Sequence, residues 1–255
     1  MTSPDLLLAA LFFAVAVLYS SVGHAGASGY IASMALLGFA PEQVRPTALA
    51  LNLLVGGIGL YRWWRGGHVR WRNVLPFVLA SAPAAFFSAQ IKLPKESYSL
   101  LLGIVLLVAA IGVFRHASRA ESEDAAAQGR NVPWLAGLLV GAAIGTLSGL
   151  TGTGGGIFLS PFILLMGWAG PKATAGISAP FIMANSIAGL AGGLIKGSFS
   201  FATIPFGATP LIAAALLGAL IGTWLGLYKL TNRWLIGMLA LVMTIAAAKL
   251  IGLSL

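Results

Sequence analysis

The chain alternates long apolar runs with short polar connectors, and the runs come in two lengths. A helix needs about 20 apolar residues to span a hydrocarbon core. By that measure the pattern predicts helices over 5–22, 44–61, 73–91 and 97–114, then over 133–149, 172–195, 203–227 and 232–253. After the first helix of each set comes a shorter apolar run, 28–39 or 156–167. These are too short to cross and are expected to enter only part of the way.

A glycine cluster precedes each short run. "GHAGASG" interrupts residues 5–39, and "LSGLTGTGGGIFLSPFILLMG" holds Gly149, Gly152, Gly154, Gly155 and Gly156. At ~1.5 Å per residue, one helix over 5–39 would reach roughly 50 Å, against a core of about 30 Å. The chain must therefore break there.

The two sets resemble one another. Gly23 falls on Gly152 and Gly38 on Gly167 at a constant offset; "RGGHVRWRNVLPF" is echoed by "IKGSFSFATIPF", and "KLPKESYSLLLG" by "KLTNRWLIGMLA". We read an internal duplication: an N-terminal repeat over 1–114, a polar connector over 115–131 and a C-terminal repeat over 132–255. Five segments per half make the second half inverted; four crossings per half make it parallel. With the basic connector of Arg62, Arg65, Arg70 and Arg72 placed inside, the distribution of Lys and Arg favours the inverted arrangement, with both termini outside.

Composition sharpens this. Of 255 residues, 58% are hydrophobic and 8% are charged; a soluble domain carries about 25% charged residues. The expected fold is an all-α polytopic membrane protein of two homologous halves, each with a Gly-rich broken or re-entrant helix. The net charge of +9 does not imply nucleic acid, because the basic residues sit in short connectors between apolar runs. The N-terminus lacks a basic leader and reads as a retained first span. There is no cysteine, so no disulfide or thiolate metal site is expected. His24, His68 and His116 show no metal-ligand spacing, and no cofactor is expected.

Irregular backbone at membrane depth is tolerated where it is buried in protein or lines a cavity. Paired breaks at corresponding places in two repeats point to a transporter binding site. Glycine lets a ligand approach backbone N–H groups, and helix N-termini near Ser28 and Ile157 suit an anion. All six carboxylates, Asp5, Glu42, Glu96, Glu121, Glu123 and Asp124, lie at segment ends or in connectors. Cation transporters and proton relays usually keep one in the core, so an anionic or neutral substrate is favoured. The same absence, with no nucleophile set, excludes an enzyme.

The candidate substrate-binding residues are His24, Gly26, Ser28, Asn52, Thr151, Thr153, Gly154, Gly155, Gly156 and Asn185. His24 can serve an anion or a proton, or be a satisfied structural group. Asn52 and Asn185 either glue helices or donate to substrate oxygens. Arg45 and Lys172 read as interfacial charges with a role in attracting an anion as the alternative. Tyr61, Trp63, Trp64, Trp71, Trp168 and Trp234 read as interface anchors. Gly56, Gly57, Gly59, Gly189, Gly192 and Gly193 read as small residues for close helix packing.

At the two breaks and the basic connector, "GLTGTGGGIFLSPFILLMG", "SVGHAGASGYIASMALLG" and "YRWWRGGHVRWRNVLP", the sequence resembles the TauE/SafE family of sulfite exporters and 4-toluene sulfonate uptake permeases. The resemblance covers nearly the whole chain; the first motif departs from the family pattern at Ala25 and Ala27. It implies secondary transport of a sulfur-containing anion, sulfite or an organosulfonate, across the bacterial inner membrane by alternating access. A passive channel for a small polar solute is the alternative, and a membrane-embedded assembly or sensor subunit a third class. The partners expected are the lipid bilayer and a small anion. The direction, the coupling ion (proton or sodium) and the oligomeric state, with a homodimer among the options, stay open.

Overall fold

A computed structural model describes residues 3–37, 39, 41–91, 107, 111, 131–199 and 209–231, with single positions among 234–248. All regular structure among the described residues is helical. The elements are α1 (Ser3–Ser21), α2 (Ala27–Leu36), α3 (Pro41–Arg65) and α4 (Trp71–Ser88), then α5 (Trp134–Thr151), α6 (Gly156–Leu165), α7 (Pro171–Ile195) and α8 (Thr209–Trp224). A π-helical turn, Leu225–Lys229, continues α8. The expected helix over 97–114, the connector over 115–131 and the helix over 232–253 lie, apart from isolated positions, outside the described residues, as do residues 203–208.

Among the described residues, four helical stretches are long and apolar enough to cross a membrane: Gln43–Arg65, Trp134–Thr151, Pro171–Ile195 and Pro210–Lys229. α2 and α6 have 10 residues each. α3 runs past its expected end at 61, into the basic connector as far as Arg65, and two of the residues there find partners. Arg62 donates to the carbonyl of Leu220 at 2.5 Å and to the Thr223 hydroxyl at 2.9 Å. Trp63 is fully buried, which corrects its reading as an interface anchor; it packs with Ala175, Ala179 and Leu227 and edge-on to His68. Tyr61, Trp64, Trp71 and Trp234 are exposed, as anchors require. Trp168 is half-buried against Phe77 and Phe162.

The helix pairs cross between the two sequence halves. α5 lies on α4 through a glycine at every fourth residue. A Cβ at Gly137 would meet the Pro76 ring, and Cβ atoms at Gly141, Gly145 and Gly149 would meet the backbone of Phe77, Ser81 and Ala85. α8 lies on α1 in the same manner, with Gly218, Gly222 and Gly226 against the backbone of Phe13, Val17 and Ser21. Small residues at this spacing let backbones approach closely, where lipid gives no hydrophobic drive to associate. Of the glycines expected to pack, Gly192 abuts the Phe86 backbone and Gly193 the Phe199 ring. Gly59 has nothing within 4 Å of its would-be Cβ, so close packing does not explain it.

α3 and α7 lie antiparallel at the centre. Leu49 and Leu53, early in α3, pack with Leu190 and Leu194 at the end of α7 and with Phe199 just beyond it. Leu60 and Trp63, late in α3, pack with Ala175 and Ala179 near the start of α7.

Candidate functional site: two buried glycine turns

α1 and α5 end in the same way. The Gly23 N–H donates to the Ser20 carbonyl and the His24 N–H to the Tyr19 carbonyl; the Gly152 N–H donates to the Ser148 carbonyl. Gly23 has φ +79° and Gly152 φ +74°, the left-handed conformation that commonly closes a helix. The first turn continues through His24 and Ala25 to Gly26 (φ +100°), the second through Thr153 to Gly154 (φ +76°) and Gly155 (φ +77°). All of these residues are buried. Among the described residues, only glycines adopt positive φ.

Each turn is seated on the third helix of the other half. A Cβ at Gly23 would meet the Ala175 backbone near the start of α7; a Cβ at Gly152 would lie 3.1 Å from Cβ of Arg45 near the start of α3. The turns also touch each other's surroundings. His24 Nε2 is 2.7 Å from Ser160 Oγ on α6, and a Cβ at Gly156 would lie 3.1 Å from His24 Cδ2. Ser160 Oγ is in turn 2.7 Å from Ser178 Oγ on α7.

Around the second turn, Asn52 Nδ2 donates to the Thr153 carbonyl at 3.3 Å and to Ser186 Oγ at 3.1 Å. A Cβ at Gly154 would lie 2.5 Å from Asn52 Nδ2, and one at Gly155 2.9 Å from Phe181 Cε1 and 3.1 Å from Ser148 Cβ. The Thr151 and Thr153 hydroxyls are 2.9 Å apart, and Thr151 also donates to the Leu147 carbonyl. Asn185 follows Ile182, which abuts Gly156, and precedes Ser186 on α7; it is fully buried, and neither its amide nitrogen nor its amide oxygen has a partner among the described residues. Asn52 Oδ1 and Ser148 Oγ are likewise buried and unpartnered. An unmade hydrogen bond on a buried polar atom costs about 1–3 kcal/mol, so these atoms mark a place where a ligand's polar atoms would be welcome.

The predicted residues thus fall into two groups. His24, Asn52, Thr153, Gly154 and Gly156 come together across the halves, with Thr151 and Gly155 beside them; Asn185 lies buried on α7, one residue before the Ser186 that Asn52 contacts. Gly26 and Ser28 face the first half: Gly26 packs on the Tyr30 ring, and the Ser28 hydroxyl is 2.8 Å from that of Tyr19. Ser160, Ser178 and Ser186 were not singled out from the sequence. Ser178, Ile182 and Ser186 recur at every fourth residue of α7, and that spacing was the available signal. Arg45 Nη2 donates to the Gly149 carbonyl at 2.7 Å, and its guanidinium lies 5.1 Å from the Phe199 ring centroid. Lys172 Nζ donates to the Leu227 carbonyl at 3.1 Å. On the connector after α3, partial burial and, secondarily, nearby Lys172 hold His68 below the usual histidine pKa.

The family profile described as "Sulfite exporter TauE/SafE" matches residues 7–250. The chain belongs to the TauE/SafE family. A relative named "Probable membrane transporter protein y4hK", from Sinorhizobium fredii (strain NBRC 101917 / NGR234), is 40% identical over 244 residues, 96% of this chain and 97% of the relative. A second, "Probable membrane transporter protein ORF9" from a Sinorhizobium species, is 29% identical over 174 residues, 66% of each chain. No solved structure matches. Membership in TauE/SafE, with four apolar helices among the described residues, makes this a multi-pass membrane protein of a transporter family.

Proposed function

We propose that the chain is a secondary transporter of a small sulfur-containing anion, sulfite or an organosulfonate, across the bacterial inner membrane. The anion binds at the second glycine turn, where Gly154 and Gly155 bring backbone N–H groups close and the unpartnered Asn185 amide supplies a further donor. That unpaired amide carries the reading. A sulfonate spreads its charge over several oxygens, and several converging neutral donors suit it. Thr153 and the start of α6 add to the same field.

The halves, 1–114 and 132–255, are inverted repeats, and alternating access is the rocking of one against the other about the buried turns. The antiparallel α3 and α7 support this, as does the reciprocal seating of Gly23 on α7 and Gly152 on α3. A twofold axis in the membrane plane relates equivalent elements in that way.

The test is flux into proteoliposomes holding the purified protein, with sulfite, sulfoacetate and taurine as probes. Saturable uptake with counterflow is expected. Non-saturating flux without counterflow would make the protein a passive channel. No flux and no thermal stabilisation by any probe would leave an assembly or sensor subunit.

A further inference from the structure

We propose that His24 is a proton-binding site whose occupancy is linked to that of the anion, with Ser160 and Ser178 as its hydrogen-bonded relay. The proposal rests on the anion-transport reading above. His24 belongs to the first half, but its side-chain partner belongs to the second. Nε2 lies 2.7 Å from Ser160 Oγ, and Ser160 Oγ 2.7 Å from Ser178 Oγ, so an imidazole and two hydroxyls form one continuous chain across the interface.

The chemistry of that chain depends on the proton. A neutral imidazole has one N–H and one lone pair, so Nε2 can accept from Ser160 or donate to it. An imidazolium has no lone pair left. Nε2–H must then donate to Ser160 Oγ, and Ser160 must turn its own proton toward Ser178. One proton taken up on a ring nitrogen therefore sets the direction of every bond in the chain, and its release to water frees them again. No other bond forms or breaks.

The described residues supply no counter-charge to the imidazole, whose Nε2 meets Ser160 and whose Nδ1 meets no partner among them. All six carboxylates of the chain lie at segment ends or in connectors. The titratable neighbour on α1 is Tyr19, whose ring centroid is 6.3 Å from the imidazole and whose hydroxyl is engaged with Ser28. α2 contributes Tyr30, packed under Gly26. α6 carries no titratable side chain, and α7 carries only Lys172, whose ammonium sits on the Leu227 carbonyl. α3, whose Asn52 lines the second turn, has its charged groups at its ends, where Arg45 is held on the Gly149 carbonyl and Arg62 on that of Leu220. An uncompensated buried cation is costly, and an anion beside it relieves the cost. The imidazole lies against Gly156, the first residue of the helix whose N-terminus faces the proposed anion. Proton and anion therefore favour each other's binding, and linkage makes the effect reciprocal.

Sulfoacetate is the probe, because its charge stays constant near neutral pH. In proteoliposomes containing pyranine, wild-type protein should move protons in step with sulfoacetate and accumulate it under a pH gradient in the absence of sodium. Its apparent affinity in thermal-shift titrations should rise as pH falls. His24→Gln should lose gradient-driven accumulation, the pyranine signal and the pH dependence of affinity. Ser178→Ala, which keeps the imidazole, should shift the pH profile and lower the ratio of gradient-driven flux to counterflow. Wild-type counterflow without proton movement, or sodium-dependent flux with none, overturns the inference and leaves the transport reading standing. A His24→Gln protein that keeps the wild-type pH dependence overturns it as well. Absence of wild-type counterflow for every probe instead overturns the transport reading.

Discussion

Arg45 of α3 donates a hydrogen bond to the carbonyl of Gly149, two residues before the end of α5, and so one charged side chain ties the first half to the helix that leads into the second glycine turn. Cations suit helix C-termini because the last carbonyls lack partners within the helix. Arg45→Ala is expected to cost about 1.5–3 kcal/mol of stability, the range for a hydrogen bond involving a charged group, read as a lower melting temperature in detergent. Arg45→Lys should recover part of it. If Arg45→Ala melts at the wild-type temperature, the tie contributes nothing.

Gly155 combines a left-handed backbone with tight surroundings. Gly155→Ala forces an L side chain to φ +77°, at about 1–2 kcal/mol, and puts a methyl group 2.9 Å from Phe181 Cε1. Transport is expected to vanish while the protein still reaches the membrane. Gly67→Ala is the matched control: φ is +75° with open space around it, so it bears the strain alone. Equal transport by the two variants would show that the space at Gly155 is not used.

Asn185 should trade stability for function. Asn185→Leu removes a buried amide that has no partner among the described residues and keeps the number and branching of side-chain heavy atoms. Relief of its desolvation is worth about 1–3 kcal/mol, so the variant should melt at or above the wild-type temperature while losing anion-induced stabilisation. A variant that is destabilised yet binds the anion normally would assign Asn185 to helix packing.

The topology can be read chemically, because the chain has no cysteine of its own. Arg65 and Lys196 are exposed residues at corresponding ends of α3 and α7. Arg65→Cys and Lys196→Cys should label from opposite sides of the membrane with an impermeant maleimide. Labelling from one side would reject the inverted repeat.

Much of the helix order was legible because a bilayer fixes how long an apolar run must be. The turn at Gly154 and Gly155 was legible because three glycines in a row, beside Thr151 and Thr153, exceed what close helix packing asks for. What the sequence hid was partnership. The glycines of α5 recur at 137, 141, 145 and 149, which announces a close contact but not that α4 receives it. Trp63 looked like its exposed neighbour Trp64, since a tryptophan beside arginines reads as interfacial until a second helix covers it. Ser160 and Ser178 passed as ordinary hydroxyls in apolar helices, because only the fold brings His24 to them.

The pairing of α1 with α8 and of α4 with α5 has a consequence for biogenesis. α1 finds its seat, Gly218, Gly222 and Gly226, on α8 and the π-helical turn that continues it, far later in the chain. Until that late segment is synthesised, α1 must wait in lipid with Phe13, Val17 and Ser21 uncovered, and closing so long a loop is slow. We expect neither half to mature alone. Ribosomes that stop before α8 should leave a truncated chain for membrane proteases, and the two halves made as separate polypeptides should survive only when they are made together.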